Sequence, residues 1–418
     1  MTSTTRLSRL TAAWTLLGLV LLTINLRAAI TGVAPVLGDL RHSLGLSGVQ
    51  VSVLTTLPVV CLGVFAALAP PLARRVGTEL AITGSLVLIT AGILLRAVTA
   101  QTALFAGTVL AGAGIAMGNV LTPAVIKEAF PRRVGGLTGM AMMLMAGSGA
   151  IAAALAVPLA GVGGWRLALA VWAVPSLLAA VAWMPLARAP RASGPSAPRP
   201  ASDGGSLLRV PLAWHVALFM GLASLMFYVL MSWLPEIMRA AGYAPATAGM
   251  MVSVMMIIGI PLGLLVPLAA ARMRDQRPLV LALAVTMVLG IGGLIVAPHA
   301  GWLWVTVLGL GTGSAFPLAF TLLSLRSADP SVAARLSGMA QTGGYLLAGL
   351  GPLAIGVLHT ATGGWNVPLS VLLALVVPEI AFGLLAARPG IVRLTPDQHT
   401  PVERPVEEPL TPANASTR

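Results

Sequence analysis

Apolar runs of about the length of a bilayer crossing recur along this chain, and no other feature restricts its fold as strongly. Residues 80–95, 279–297 and 367–387 each approach the ~20 residues that carry a helix across a membrane. In lipid every backbone N–H and C=O has to be paired within its own segment, so such runs become helices. Only 9% of the 418 residues are charged, where a soluble chain carries about a quarter, so there is no charged skin to hold a water-facing surface. Glycines and prolines, usually signs of turns, stand inside the apolar runs. There Gly lets helices approach closely, and neighbouring helices tolerate Pro. The pattern predicts an all-α integral membrane protein with twelve spans near 11–37, 48–69, 79–98, 101–125, 135–160, 167–187, 212–238, 247–270, 278–298, 301–325, 333–358 and 366–388.

The formal charge of +13 suggests nucleic acid at first sight. The basic residues form no patch and no aromatic-flanked stripe; they fall in the short loops between apolar runs, which excludes that partner. Twelve spans put both termini on one side. Loops on that side hold Lys127, the only lysine, and most arginines, 20 of the 25 basic residues in all, whereas Arg41, Arg96, Arg166 and Arg239 fall on the opposite side and Arg27 alone lies inside a span. The positive-inside rule then makes both termini cytoplasmic and the protein a multi-pass component of the inner, cytoplasmic membrane. The basic start at 1–9 precedes an apolar run without a small-residue cleavage site, so that run reads as the first span and not as a removed signal. Cys61 is the single cysteine, and the five histidines lack metal-ligand spacing, so neither a disulfide within the chain nor a cofactor is expected.

Between the sixth and seventh spans, residues 188–211 are rich in Pro, Ser, Gly and Arg and read as a cytoplasmic linker. Residues 389–418 read as a disordered cytoplasmic tail. The flanking segments, 1–187 and 212–388, repeat one another at an offset near 200. Gly163-Gly164-Trp165 returns as Gly363-Gly364-Trp365, Leu137-Thr138-Gly139-Met140-Ala141 as Leu336-Ser337-Gly338-Met339-Ala340, Pro35 as Pro235, and Pro71-Leu72-Ala73-Arg74-Arg75 loosely as residues 267–272. Two duplicated six-span halves imply a major facilitator architecture, in which the halves rock about a midplane site lined by the first, fourth, seventh and tenth spans. The loop from Ala69 to Gly77 resembles the signature of that superfamily, with its paired arginines and glycine but without the usual Asp.

Within that superfamily the chain resembles the cyanate and 2-nitroimidazole transporter family. The resemblance is carried by Asn25-Leu26-Arg27-Ala28-Ala29-Ile30, Leu54-Thr55-Thr56-Leu57-Pro58-Val59, residues 112–121, Phe130-Pro131-Arg132-Arg133-Val134-Gly135, Trp233-Leu234-Pro235, Phe316-Pro317-Leu318 and residues 335–341. It implies transport of a small polar or anionic solute. Ala28 departs from the proline usual after Asn-Leu-Arg, and Ala223 and Thr312 stand where glutamine is frequent, which leaves room for a different substrate.

Candidate binding residues are polar groups on the expected cavity spans. Arg27 sits near the middle of a span, where a charge costs at least ~2.5–3.5 kcal/mol unless it faces water or a partner. Thr31 lies one turn on and extends its polar face. Asn25 shares a stripe with Gly18 and Gly32 and is either a ligand or interhelical glue. Asn119 and Gln341 carry the same two readings. Ser224, Tyr228 and Ser232 are spaced by four, so Tyr228 is expected in the cavity; Thr312 and Phe316 are expected there from the tenth span. The nearest acid in sequence to Arg27, Asp39, is 12 residues away, roughly 18 Å along a helix. Arg27 is therefore expected to be balanced by neutral acceptors, which favours an anionic solute. Glu379 is the only acid well inside a span, on a helix outside the expected cavity, so proton coupling stays open.

These observations point to a monomeric secondary transporter working by alternating access, with a drug or metabolite efflux carrier of the same fold as the alternative. A membrane enzyme would need a catalytic cluster, and none is visible. A channel would need a filter or a ring of like charge. ATP-driven pumping on this chain is excluded by the lack of a Gly-x-x-x-x-Gly-Lys-[Ser/Thr] loop.

Overall fold

The computed structural model describes residues 9–188 and 206–393, so most of the linker, the tail and the first eight residues lie outside the described part. Among the described residues every extended element is a helix; one isolated β-bridge joins Ser327 and Val392. The first four spans are Arg9–Thr31, Gly48–Ala66, Thr78–Arg96 and Gln101–Ala129. The seventh to twelfth are Pro211–Ala240, Pro245–Arg272, Arg277–Val296, Gly301–Leu325, Pro330–Thr362 and Asn366–Ala386. Between them Val134–Arg188 runs as one stretch of 55 residues. A straight helix of that length would measure about 80 Å, more than twice the hydrocarbon core. It breaks at Gly163 and Gly164, the latter at φ 70°, where only glycine is at ease. The stretch therefore supplies the fifth and sixth spans, and the total is twelve. The recurring Gly-Gly-Trp does the same job twice: Gly363, at φ 66°, ends the eleventh span before Trp365.

The packing follows the sequence repeat. The first span lies on the fifth, the second on the fourth, and the third on the fourth and sixth; the seventh lies on the eleventh, the eighth on the tenth, and the ninth on the tenth and twelfth. Between halves the second packs on the eleventh and the fifth on the eighth, a pair exchanged by the same shift of six spans. Small residues carry these crossings, as expected where lipid supplies no hydrophobic drive between helices. A Cβ on Gly114 would stand 2.4 Å from the Ser85 carbonyl of the third span, and one on Gly118 would stand 2.6 Å from Leu26 of the first. In the other half a Cβ on Gly221 would lie 3.3 Å from Gly344 Cα, joining the seventh and eleventh spans.

At the Arg-rich end the two halves are in tight contact. A Cβ on Gly135 would meet the Pro267 carbonyl at 2.5 Å, one on Gly139 the Leu264 carbonyl at 2.8 Å, and one on Gly338 Pro70 at 2.8 Å. Lys127, at the end of the fourth span, donates to the Ser324 carbonyl at 2.7 Å and to the Ser327 carbonyl. Both acceptors lie at the C-terminal end of the tenth span, where the helix dipole favours a cation. In the turn that follows, Arg326 is buried and caps the twelfth span, donating to the carbonyls of Ala386 and Ala387 at 2.8 Å each and to Gln276. Burial lowers the pKa of this guanidinium, against the opposing pull of Asp275.

Candidate functional site

The first span places Arg27 where the two halves face one another. It lies deep in the bundle yet keeps some accessible surface. Its helix packs on the fifth span at Gly149, where a Cβ would stand in ordinary contact, 3.4 Å from both Arg27 Cβ and Thr31. The Thr31 hydroxyl donates to the Gly149 carbonyl at 2.9 Å, and the Arg27 carbonyl lies 3.2 Å from the same oxygen. These contacts join the first span to the fifth beside Arg27.

Across the interface two phenols face that guanidinium. Tyr228 of the seventh span and Tyr345 of the eleventh lie near Arg27 and near one another. Tyr228 is partly accessible and meets Phe227 edge-on, with ring centroids 5.5 Å apart. The close passage of Gly221 and Gly344 brings the helices carrying the two tyrosines together. Among the described residues, no carboxylate acts on Arg27. A neutral phenol both accepts and donates, so it can satisfy Arg27 in the empty cavity and turn its proton toward an anion in the filled one.

The remaining expected residues are placed differently. Asn25 is 2% exposed and donates to the Leu21 carbonyl at 2.7 Å and the Pro175 carbonyl at 3.2 Å, which ties the first span to the sixth. Gly18 of the same stripe lies against Trp183. Asn119 is buried with its Oδ1 unpartnered among the described residues. Gln341 donates to Ser337 at 2.7 Å, while its Oε1 is buried without a partner. Thr312 is buried and donates to its own helix at Leu308. Phe316 is half-buried, 6.1 Å from Phe320 between ring centroids. Of Ser224, Tyr228 and Ser232 only Tyr228 faces Arg27: Ser224 is buried and donates to Met220, and Ser232 is exposed. An apolar groove along the outer part of the eleventh span, lined by Trp233, Leu353 and Val357, is separate from this cluster.

Two residues were missed. Tyr345 lies one helical turn beyond Gln341, in a Gly-rich stretch that reads as packing. Arg96, expected in an outer loop, is instead 3% exposed and donates to the Ala29 carbonyl of the first span at 2.8 Å. Arg27 is thus not the only arginine enclosed by the helices. Glu379 is buried on the twelfth span, with both oxygens unpartnered among the described residues and outside the Arg27 cluster.

A twelve-span duplicated bundle with a polar cluster between its halves is the plan of an alternating-access carrier. Residues 19–352 match the Major Facilitator Superfamily, and the chain belongs to it. It is a secondary transporter of small solutes. Over 394 residues it is 38% identical to the 2-nitroimidazole transporter of Escherichia coli (strain K12), covering 94% of this chain and 100% of that one. Over 354 residues it is 33% identical to the cyanate transport protein CynX of the same organism, covering 84% and 91%. In structure it is similar to the E. coli fucose:proton symporter FucP, at a TM-score of 0.71 and 13% identity over 89% of this chain and 98% of that one, a likeness of fold alone.

Proposed function

We propose that this carrier moves a small anionic or strongly dipolar solute, of the cyanate or nitroimidazole class, and that the solute binds between Arg27 on one half and Tyr228 and Tyr345 on the other. The observation that carries this reading is a deep, partly accessible guanidinium with two phenols near it and, among the described residues, no carboxylate acting on it. In a medium of low dielectric such a cation attracts anions strongly. A bound anion would draw on groups from both halves at once, so its binding favours their closure. Relatives that carry 2-nitroimidazole and cyanate fit this chemistry. Thr31 and Phe316 complete the accessible wall, while Asn25, Asn119, Thr312 and Gln341 shape it from behind. We assign the halves to 1–187 and 212–388, with 188–211 between them.

The protein sits in the cytoplasmic membrane as a monomer with both termini and the linker inside. The Arg-rich end, closed by Lys127 and by the glycine contacts, is then the cytoplasmic one, and the cavity opens outward. Among the described residues, no acid stands at the cluster to couple a proton there. The test is transport of labelled cyanate and 2-nitroimidazole in proteoliposomes. Arg27→Ala should insert normally and lose transport. Arg27→Lys keeps the charge without the planar fork and should be impaired. Wild-type transport by Arg27→Ala would refute the site.

A further inference from the structure

The first span ends at Thr31, one turn beyond Arg27, and its last backbone hydrogen bonds skip one carbonyl. Gly32 N–H donates to the Ala28 carbonyl and Val33 N–H to the Ile30 carbonyl. The Ala29 carbonyl between them is left without a backbone partner, and a bare carbonyl inside protein has to be satisfied by a side chain or water. Arg96, the last residue of the third span, supplies the bond at 2.8 Å.

Several features of the sequence converge to bring it there. The backbone of Arg96 lies against Gly107 of the fourth span, where a Cβ would stand 2.8 Å from the Arg96 nitrogen and 2.9 Å from its Cγ. That Cβ would also stand 2.6 Å from the Gly92 carbonyl. Only a glycine at 107 lets the third and fourth spans close enough for the guanidinium to reach the first. Arg96 is 3% exposed and its Nε has no partner among the described residues, so it is not a solvated surface residue. Among the described residues, no acidic group acts on it.

We infer that Arg96 is a positioning residue for Arg27: its hydrogen bond to the Ala29 carbonyl clamps the end of the first span and so holds Arg27 at the height where it meets the solute. This rests on the reading that Arg27 binds the solute. Arg27 lies one turn from the break at which the first span passes into the 3-10 turn Ala34–Val36; slack at that break spreads the guanidinium over more positions. Clamping removes that freedom before binding, so its loss costs affinity more than turnover.

The test uses the full chain in proteoliposomes, with cyanate and 2-nitroimidazole as labelled solutes. Arg96→Met keeps the length and removes the donor; Arg96→Lys keeps a donor and the charge. We expect Arg96→Met to raise KM about tenfold with Vmax within about twofold, and Arg96→Lys to restore KM to within about threefold. If Arg96→Met does not fold, Arg96→Leu, which also lacks a donor, is read in its place. A nitroxide at Ala34, on a Cys61→Ala background, reads the helix end without any solute. Its spectrum should show a more mobile label in Arg96→Met and the wild-type line shape in Arg96→Lys. Wild-type KM in Arg96→Met, or an unchanged nitroxide spectrum, overturns the inference. Loss of Vmax alone at unchanged KM overturns it too and makes Arg96 a packing residue. If Arg27→Ala transports with wild-type KM, the binding site itself is misplaced; if Arg27→Ala is inactive while Arg96→Met is unaffected, only this inference fails.

Discussion

Lys127 offers a direct handle on the equilibrium between the two faces of the carrier. Its ammonium crosses from the fourth span to the carbonyls of Ser324 and Ser327, at the end of the tenth. Lys127→Met keeps most of the stem and deletes both bonds. A hydrogen bond to a charged group contributes about 1.5–3 kcal/mol. Lys127 is only partly buried, so water replaces part of what is lost, and about 1.5–3 kcal/mol for the two bonds together is the working figure. At 1.4 kcal/mol per decade, that moves the balance between closed and open Arg-rich ends about 10- to 150-fold toward open. Spin labels at Arg132→Cys and Arg274→Cys, both exposed and on opposite halves of that end, report it by pulsed electron resonance on a Cys61→Ala background. The prediction is growth of a longer-distance population in Lys127→Met. A distance distribution unchanged from wild type would show that Lys127 does not hold the end shut, and the argument from those two bonds would fall.

Two further outcomes follow from the packing and the charge distribution. Gly114→Val places a branched side chain where even a Cβ stands 2.4 Å from the Ser85 carbonyl and 2.8 Å from Ile89; overpacking of this kind costs about 1–3 kcal/mol or more, so the detergent-solubilised protein should melt several degrees lower, and an unchanged melting temperature would contradict the crossing of the third and fourth spans. A cysteine placed within 188–211 should be protected in intact cells from an impermeant thiol reagent added outside, and its labelling there would reverse the orientation.

The twelve spans could be read from sequence because lipid imposes a length, and the halves because Gly163-Gly164-Trp165 and Gly363-Gly364-Trp365 mark the same turn twice. That Arg27 lies inside the bundle could be read because a charge amid apolar residues has few tolerable explanations; that Tyr228 stands near it could not, since its neighbours in the stripe, Ser224 and Ser232, face elsewhere. The same logic could not separate Asn25, Asn119, Thr312 and Gln341 into cavity and packing: a polar group in a span is glue or ligand according to which neighbour it meets, and that is tertiary information. Tyr345 escaped because its importance comes from the opposite half. Arg96 escaped because an arginine at the end of an apolar run looks like a loop residue until the fold sinks that end against the first span.

The central claim is that an unpaired Arg27 selects for negative charge. It is tested most directly by competition against labelled cyanate or 2-nitroimidazole transport in proteoliposomes, using organic anions and cations matched in size and shape. The account predicts that anions compete well and matched cations poorly, with the preference lost in Arg27→Lys or Arg27→Ala variants that retain any transport. Cations competing better than anions in the wild-type protein would contradict it.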